Sequence, residues 1–119
     1  MSAKPPPGPS CFDPEAVALA RKLIHKSRKT LPRMAELYKL LANPVRLKIL
    51  LSLGDVKKLC VGDVAQVVGL SIPATSHQLK LLKDHGWLRT ENDGKLVYYS
   101  LANQGLKDAL EGDLRLLGG

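Results

Sequence analysis

Residues 61–84 read VGDVAQVVGLSIPATSHQLKLLKD, and this stretch decides the fold. The pattern predicts a short helix over 61–68 that ends at Gly69, because glycine is the usual residue just past a helix end. Ser71 is a good N-cap for a second helix that runs to about His85. Two helices of these lengths, joined by a tight turn, have the proportions of a helix-turn-helix.

The apolar pattern changes downstream of this helix pair. Residues 87–90 (WLRT) and 96–99 (LVYY) are strand-like and flank Asp93-Gly94, a dipeptide typical of a two-residue hairpin turn. A last helix is expected over about 102–116. Helices with a single hairpin after a helix-turn-helix predict a mainly α winged-helix fold with a β-hairpin wing.

Three helices are expected upstream of the pair. The first spans about 14–28, the second follows Pro32, and the third covers 45–53 and ends at Gly54. The proline-rich residues 1–10 are expected to form a disordered arm, so 11–119 is the predicted winged helix-turn-helix domain. In so small a domain, the first and last helices are the expected surface of a two-fold homodimer, although a leucine row on a terminal helix is equally typical of core.

Composition limits the function classes. The chain has 119 residues and a net charge of +7, which suits one domain with a polyanionic partner. Residues 1–60 contribute +8 and residues 61–119 contribute −1, so charge alone does not identify the docking face. No apolar run suits a membrane span or a secretory signal, so a cytoplasmic location without membrane contact is expected. No catalytic constellation is recognisable, which predicts that the chain is not an enzyme.

The second helix of the pair is the candidate for reading DNA. Helical spacing of about 100° per residue places four residues on its core side: Ile72, Thr75, Leu79 and Leu82. Gln can pair with both polar atoms of adenine in the major groove, and Ser and His bind base edges or phosphates. The candidate DNA contacts are Ser71, Ala74, Thr75, Ser76, His77, Gln78 and Lys80 in the helix region, with Arg89, Thr90 and Lys95 in the wing.

Four segments in this order resemble the ArsR/SmtB family of winged-helix repressors: LANPVRLKIL (41–50), KLCVGDVA (58–65), SHQL (76–79) and GKLVYY (94–99). The resemblance extends over roughly residues 34–116. It implies a homodimer that binds a double-stranded operator of imperfect two-fold symmetry and represses genes for metal efflux or sequestration. It also implies release of the operator when an inducer binds.

The same resemblance implies a metal site between subunits. Cys60 and Asp63 match the family's metal-binding box, although Gly62 replaces a second cysteine that many members have. Cys11 and Glu15 lie where the other subunit's arm would supply ligands. Cys–carboxylate sets hold zinc, cadmium or lead, two thiolates suit mercury, and arsenite is a weaker candidate because it prefers three thiolates. A second family site on the C-terminal helices is expected to be missing, because that stretch contains no His.

The two cysteines leave other interpretations open. Cys11 and Cys60 are also the residues of a thiol redox or persulfide switch in a repressor of the same fold. Alternatively, Cys60 is a small buried apolar residue and Cys11 an inert exposed thiol. A third class of function is a basic adaptor that binds a protein or a membrane surface through the first helix.

Overall fold

The computed structural model describes residues 11–119. The predicted disordered arm over 1–10 lies outside these residues. The chain divides into two compact units after Lys39, and each unit is described by itself. The single domain over 11–119 stays a prediction.

The first unit contains α1, Pro14–Lys26, and the beginning of α2, Leu31–Leu41. Asp13 caps α1, because its Oδ1 accepts hydrogen bonds from the backbone N–H groups of Glu15 (3.1 Å) and Ala16 (3.2 Å). The predicted first helix is confirmed, although it ends at Lys26. Within the described chain, α1 buries none of its own residues.

The second unit is a winged helix-turn-helix, which confirms the predicted fold class. After the last two residues of α2 it contains, in chain order, α3 (Pro44–Asp55), β1 (Leu59–Cys60), α4 (Val61–Val68), α5 (Ile72–Asp84), β2 (Leu88–Asp93), β3 (Leu96–Leu101) and α6 (Gln104–Leu116). The strands form an antiparallel sheet in the order β1-β3-β2. In sequence order, the helix pair α4–α5 therefore follows the edge strand β1 and precedes the hairpin of β2 and β3.

One hydrophobic core joins the helices of this unit to the base of the wing. The side chains that are at most 1% exposed are Ile49, Leu50 and Leu53 of α3, Val64 of α4, Thr75, Leu79 and Leu82 of α5, and Leu101 of β3. Burying an aliphatic side chain of this size contributes about 1.5–3 kcal/mol. Helix α5 is thus fixed by its core side, which leaves its other side for a partner.

Gly54 does not end α3, as the sequence pattern predicts, but lies within it. A Cβ built on Gly54 would lie 3.1 Å from Cγ of Lys107, which belongs to α6. The glycine therefore provides room for α6 to pack against α3. This requirement is set by the tertiary packing, so the expectation of a helix end at this glycine is wrong.

The hairpin is confirmed, but its turn lies one residue later than Asp93-Gly94. Asp93 pairs with Leu96, so Gly94 and Lys95 form the two-residue loop. Gly94 has φ +62°, and the only described residues with positive φ are glycines, so Lys95 has negative φ. Positive φ at the first loop position alone is the pattern of a type II′ turn, which suits the twist of a hairpin.

Strand β1 is an element that the sequence pattern does not predict. Leu59 pairs with Tyr99 and Cys60 pairs with Tyr98, both in β3. Two residues are too few to show a periodic pattern, and the strand exists because β3 offers a free edge. As a result, the backbone of Cys60 is part of the sheet that carries the wing.

Candidate nucleic-acid interface and thiol site

The turn between α4 and α5 is formed by the residues that predicted it. Gly69 has φ +71° and its N–H donates to the carbonyl oxygen of Ala65 at 2.9 Å, which ends α4. Oγ of Ser71 accepts a hydrogen bond from the N–H of Ala74 at 3.2 Å and caps α5. These two ends set the direction of α5.

Helix α5 separates its core side from its solvent side nearly as predicted. Thr75, Leu79 and Leu82 are wholly buried, which confirms the predicted core side for these three. Two expectations need correction. Ile72 lies in the first turn and is 48% exposed, because the turn extends past the core, and Thr75 is 0% exposed, so its side chain is not accessible to DNA.

The remaining candidates form the solvent side of α5. Gln78 is half-buried at the edge of this side, and the exposed candidates are Ser71, Ala74, Ser76, His77 and Lys80. Small residues beside donor and acceptor groups allow a helix to approach base edges closely. We call Ser71, Ala74, Ser76, His77, Gln78 and Lys80 the reading surface.

Arg46 is a functional candidate that the sequence analysis missed. Its Nη1 donates a hydrogen bond to Oε1 of Gln78 at 3.3 Å, and its Nε donates to the carbonyl oxygen of Leu40 at 2.6 Å. The available signal was an arginine among the apolar residues in the first turn of α3, because a charge that is partly buried needs partners. The pairing with Gln78 joins positions far apart in the chain, so spacing does not reveal it.

Lys80 of the reading surface has an internal partner. Its Nζ lies 2.8 Å from Oδ2 of Asp84 one helical turn later, and both side chains are more than half exposed. The hydrogen bond between them raises the pKa of Lys80 and lowers the pKa of Asp84. A phosphate that binds Lys80 therefore competes with a nearby carboxylate.

The wing places its basic candidates at opposite ends. Lys95 is exposed in the turn, and Arg89 is exposed near the base, where its Nη2 donates to the carbonyl oxygen of Ala102 at 3.3 Å. Thr90 is half-buried. Lys95 is therefore the wing residue with the most room to contact a nucleic-acid backbone.

Lys58 ties the entry of β1 to the wing. Its Nζ lies 2.8 Å from Oε1 of Glu91 and 4.7 Å from the ring centroid of Tyr98. The hydrogen bond with Glu91 raises the pKa of Lys58 and lowers that of Glu91. These contacts lie beside the strand pairing of Cys60 with Tyr98.

Cys60 and Asp63 form a pair of potential metal ligands at the N-terminus of α4. Oδ2 of Asp63 accepts from both the backbone N–H and the Sγ–H of Cys60, each at 3.2 Å. Cys60 is half-buried and its Sγ–H makes a polar contact, which weighs against the interpretation of Cys60 as a small buried apolar residue. A thiol and a carboxylate already in contact suit coordination of one thiophilic ion.

Gly62 leaves space beside this pair. A Cβ on Gly62 would lie 3.9 Å from Sγ of Cys60, an ordinary contact distance. Cys11 and Glu15, the other predicted ligands, are both exposed in the first unit. Within residues 11–119 of a single chain, no group of three or more His, Cys, Asp or Glu side chains could hold a metal ion. Among the described residues, Cys60 and Asp63 are therefore a pair of potential ligands and not a complete metal site.

Comparison with known proteins decides the family. Residues 43–89 match the family described as "Bacterial regulatory protein, arsR family". The chain is 36% identical over 93 residues to the "Cadmium resistance transcriptional regulatory protein CadC homolog" of Staphylococcus aureus, an alignment that covers 74% of this chain and 77% of that protein. The chain belongs to the arsR family of bacterial regulatory proteins. Members of this family are transcriptional regulators, which confirms the prediction that the chain is not an enzyme.

Solved structures of other regulators resemble this arsR-family protein. Reduced HlyU from Vibrio cholerae has a TM-score of 0.70 and 31% identity, and the match covers 79% of this chain and 98% of that one. The homodimeric winged helix-turn-helix DNA-binding domain of Mb0332 from Mycobacterium bovis has a TM-score of 0.67 and 25% identity, and the match covers 76% of this chain and 83% of that one.

In the described part of this chain, no helix combines the length and apolarity needed to cross a bilayer.

Proposed function

We propose that this arsR-family protein is a homodimeric repressor that leaves its operator when a thiophilic metal ion binds between subunits. Cys60 and Asp63 of one copy and Cys11 and Glu15 of the other would be the ligands. The observation that supports the proposal best is the 3.2 Å contact between Sγ of Cys60 and Oδ2 of Asp63, at the first residues of the helix-turn-helix. Similarity to a cadmium-resistance regulator supports the metal class.

Exposed apolar side chains support the dimer. On α1, Leu19, Leu23 and Ile24 are 70%, 63% and 55% exposed. On α6, Leu106 and Leu110 are core residues, whereas Leu116 at its end and Leu117 just after it are more than 80% exposed. Apolar rows left open to solvent on two helices suit a self-complementary interface. A two-fold dimer presents two copies of α5 to successive major grooves about 34 Å apart.

DNA binding is assigned to the solvent side of α5 and the wing. The reading surface supplies base and phosphate contacts, and Arg89 and Lys95 supply contacts to the DNA backbone. The positive charge of residues 1–60 supplies long-range attraction, because residues 61–119 have a net charge of −1. Thr75 is left out because its side chain is buried.

The position of Cys60 supports a connection between the proposed metal site and the DNA-binding elements. Its backbone belongs to β1, which pairs with the wing strand β3, and Asp63 caps the same residue at the start of α4. Coordination by Cys60 and Asp63 would replace the hydrogen bond between them, and any shift of Cys60 would move both α4 and the sheet. When bound, the ion supplies bonds that link thiolate and carboxylate groups of two subunits. We expect this coupling to weaken DNA binding about 5–150-fold.

The test is fluorescence anisotropy on duplex DNA from the gene's own upstream region, with zinc, cadmium, lead, mercury or arsenite added. We expect metal-induced release for the wild type and loss of that response for Cys11→Ser, Cys60→Ser and Asp63→Asn. Asp108→Asn, an exposed carboxylate on α6, is the matched control and should respond like the wild type. A full metal response in Cys60→Ser would contradict the proposed site.

The thiol alternative is separated by the same assay with a chelator present. Both Cys11 and Cys60 are free thiols in the structure, with Cys11 exposed. Release of chelator-treated protein by an oxidant or a polysulfide, together with no response to metal, would favour a redox or persulfide switch. Activity that is retained in a His77→Ala, Gln78→Ala double variant would instead favour the adaptor class, which does not need the reading surface.

A further inference from the structure

The orientation of the Gln78 side-chain amide is determined by its partner. Nη1 of Arg46 lies 3.3 Å from Oε1 of Gln78. A guanidinium group has donors only, so the amide atom that faces it must be the oxygen. The amide NH₂ of Gln78 therefore points away from Arg46 as the group left for another partner.

Arg46 is itself held in place from two sides. Its Nε donates at 2.6 Å to the carbonyl oxygen of Leu40, in the last turn of α2, where carbonyl groups lack helical partners. Its backbone N–H donates to Oδ1 of Asn43, the N-cap of α3, at 3.1 Å. Arg46 is also half-buried. The guanidinium group is therefore a fixed support for the edge of the reading surface.

This support changes which base Gln78 is suited to read. Pairing with adenine uses both ends of the amide, since the oxygen accepts from N6 and the NH₂ donates to N7. Arg46 occupies one of the two lone pairs of Oε1 and holds this oxygen on its own side, so the NH₂ group is the end of the amide that faces away from Arg46. Guanine presents two neighbouring acceptors, N7 and O6, in the major groove. An amide that acts as a donor suits guanine better than adenine.

We propose that Arg46 is a positioning residue that fixes Gln78 as a hydrogen-bond donor and so selects guanine at one position of each half-site. The proposal rests on the proposed function, because it requires α5 to lie in the major groove. It replaces the adenine pairing expected for Gln78 from the sequence. It also gives Arg46 a role in specificity without direct contact with DNA.

The experiment selects binding sites from a pool of random-sequence duplexes with the full chain. Proteins compared are the wild type, Arg46→Met, Gln78→Ala and the double variant. We expect the wild type to select guanine at a position where both single variants lose the preference by roughly tenfold. The double variant should lose no more than Gln78→Ala, because Arg46 acts through Gln78.

A further variant, Gln78→Glu, tests the proposal without relying on the stability of Arg46→Met. Gln78→Glu retains an acceptor for Arg46 but presents a carboxylate oxygen in place of the NH₂ group. We expect its preference to change from guanine to cytosine, whose N4 amino group is a donor. Thermal unfolding of each variant is measured alongside.

Two results would overturn the inference while leaving the repressor intact. One is selection of adenine at the position that depends on Gln78. The other is an Arg46→Met variant that binds all sequences more weakly by the same factor and keeps the guanine preference. A wild-type protein that selects no sequence at all would overturn the proposed function, and this inference with it.

Discussion

At the scale of single residues, Thr75 is a polar side chain placed in an apolar core. Its Oγ1 is buried and, among the described residues, has no hydrogen-bond partner. Burying an unpaired hydroxyl costs free energy, because its bonds to water are lost without replacement. The residue therefore weakens the core that fixes α5.

Replacing this hydroxyl is expected to stabilise the protein. Thr75→Val keeps the branched shape and should raise the free energy of unfolding by about 1 kcal/mol, measured by urea denaturation. DNA affinity should stay unchanged, because the side chain is buried. Thr75→Ser is the matched control, since it keeps the hydroxyl and removes a methyl group, which should cost about 1 kcal/mol. Destabilisation by Thr75→Val would indicate a partner for the hydroxyl.

Gly62 allows a gain-of-function test of the metal ligands. Because a Cβ there would lie 3.9 Å from Sγ of Cys60, Gly62→Cys adds a second thiol beside the first. We expect tighter cadmium binding and a stronger thiolate-to-cadmium absorption in the ultraviolet. Gly62→Ser is the control and should show neither change. Identical cadmium titrations for Gly62→Cys and the wild type would contradict a site at Cys60.

At the scale of elements, the wing is connected to β1 by both backbone and side chains. Cys60 pairs with Tyr98, and Lys58 makes an ion pair with Glu91 across the same sheet. Both partners of the ion pair are exposed, so we expect a small contribution to stability that depends on salt. In the proposed mechanism, this connection would transmit a shift of Cys60 to the wing.

The ion pair predicts the sign of a pH dependence. The hydrogen bond from Lys58 lowers the pKa of Glu91, so the contribution to stability is fully present above the ordinary carboxyl pKa and is lost as the pH falls from there through the lowered pKa of the folded state. Thermal unfolding of wild type and Glu91→Gln is compared from about pH 7 to about pH 3. We expect the wild type to be more stable near neutrality and the difference to shrink in acid. Glu111→Gln, on α6, is the control. A difference that grows in acid would contradict the assigned sign.

At the scale of the whole molecule, the proposed function depends on joining two copies. A single reading surface covers one half-site, and linking two copies raises affinity through the high local concentration of the second. The exposed leucines of α1 and α6 are the surfaces available for this contact. Electrostatic attraction does not replace this gain in affinity, because residues 61–119, which contain the reading surface, have a net charge of −1.

Disrupting the exposed leucines should separate the copies. Leu23→Glu and Leu117→Glu each place a charge on a predicted interface, and we expect a shift to monomer in sedimentation analysis. Operator affinity should fall about 100-fold or more, because binding to two half-sites is lost. Val56→Glu changes an apolar residue that is 46% exposed and lies just after α3, and this control should leave the dimer intact. A dimer that survives both leucine variants would place the interface elsewhere.

Most helices and their ends were predictable because their signals are local. The α4–α5 turn follows from Gly69 and Ser71, and the starts of α1 and α3 follow from the caps Asp13 and Asn43. Each of these residues acts on backbone groups within a few positions of itself. The family resemblance then directed attention to Cys60 and to α5.

Three features of the structure could not be predicted because they depend on contacts between distant parts of the chain. Strand β1 requires the edge of β3. A glycine is needed at position 54 because the Lys107 side chain packs against it. Arg46 reaches Gln78 across 32 positions of sequence. Local sequence signals were therefore enough to predict most of the helices and to propose α5 as the helix that contacts DNA. The orientation of the Gln78 amide depends on the tertiary structure, because its hydrogen-bond donor, Arg46, belongs to another helix. Residue spacing along the chain does not reveal such a contact.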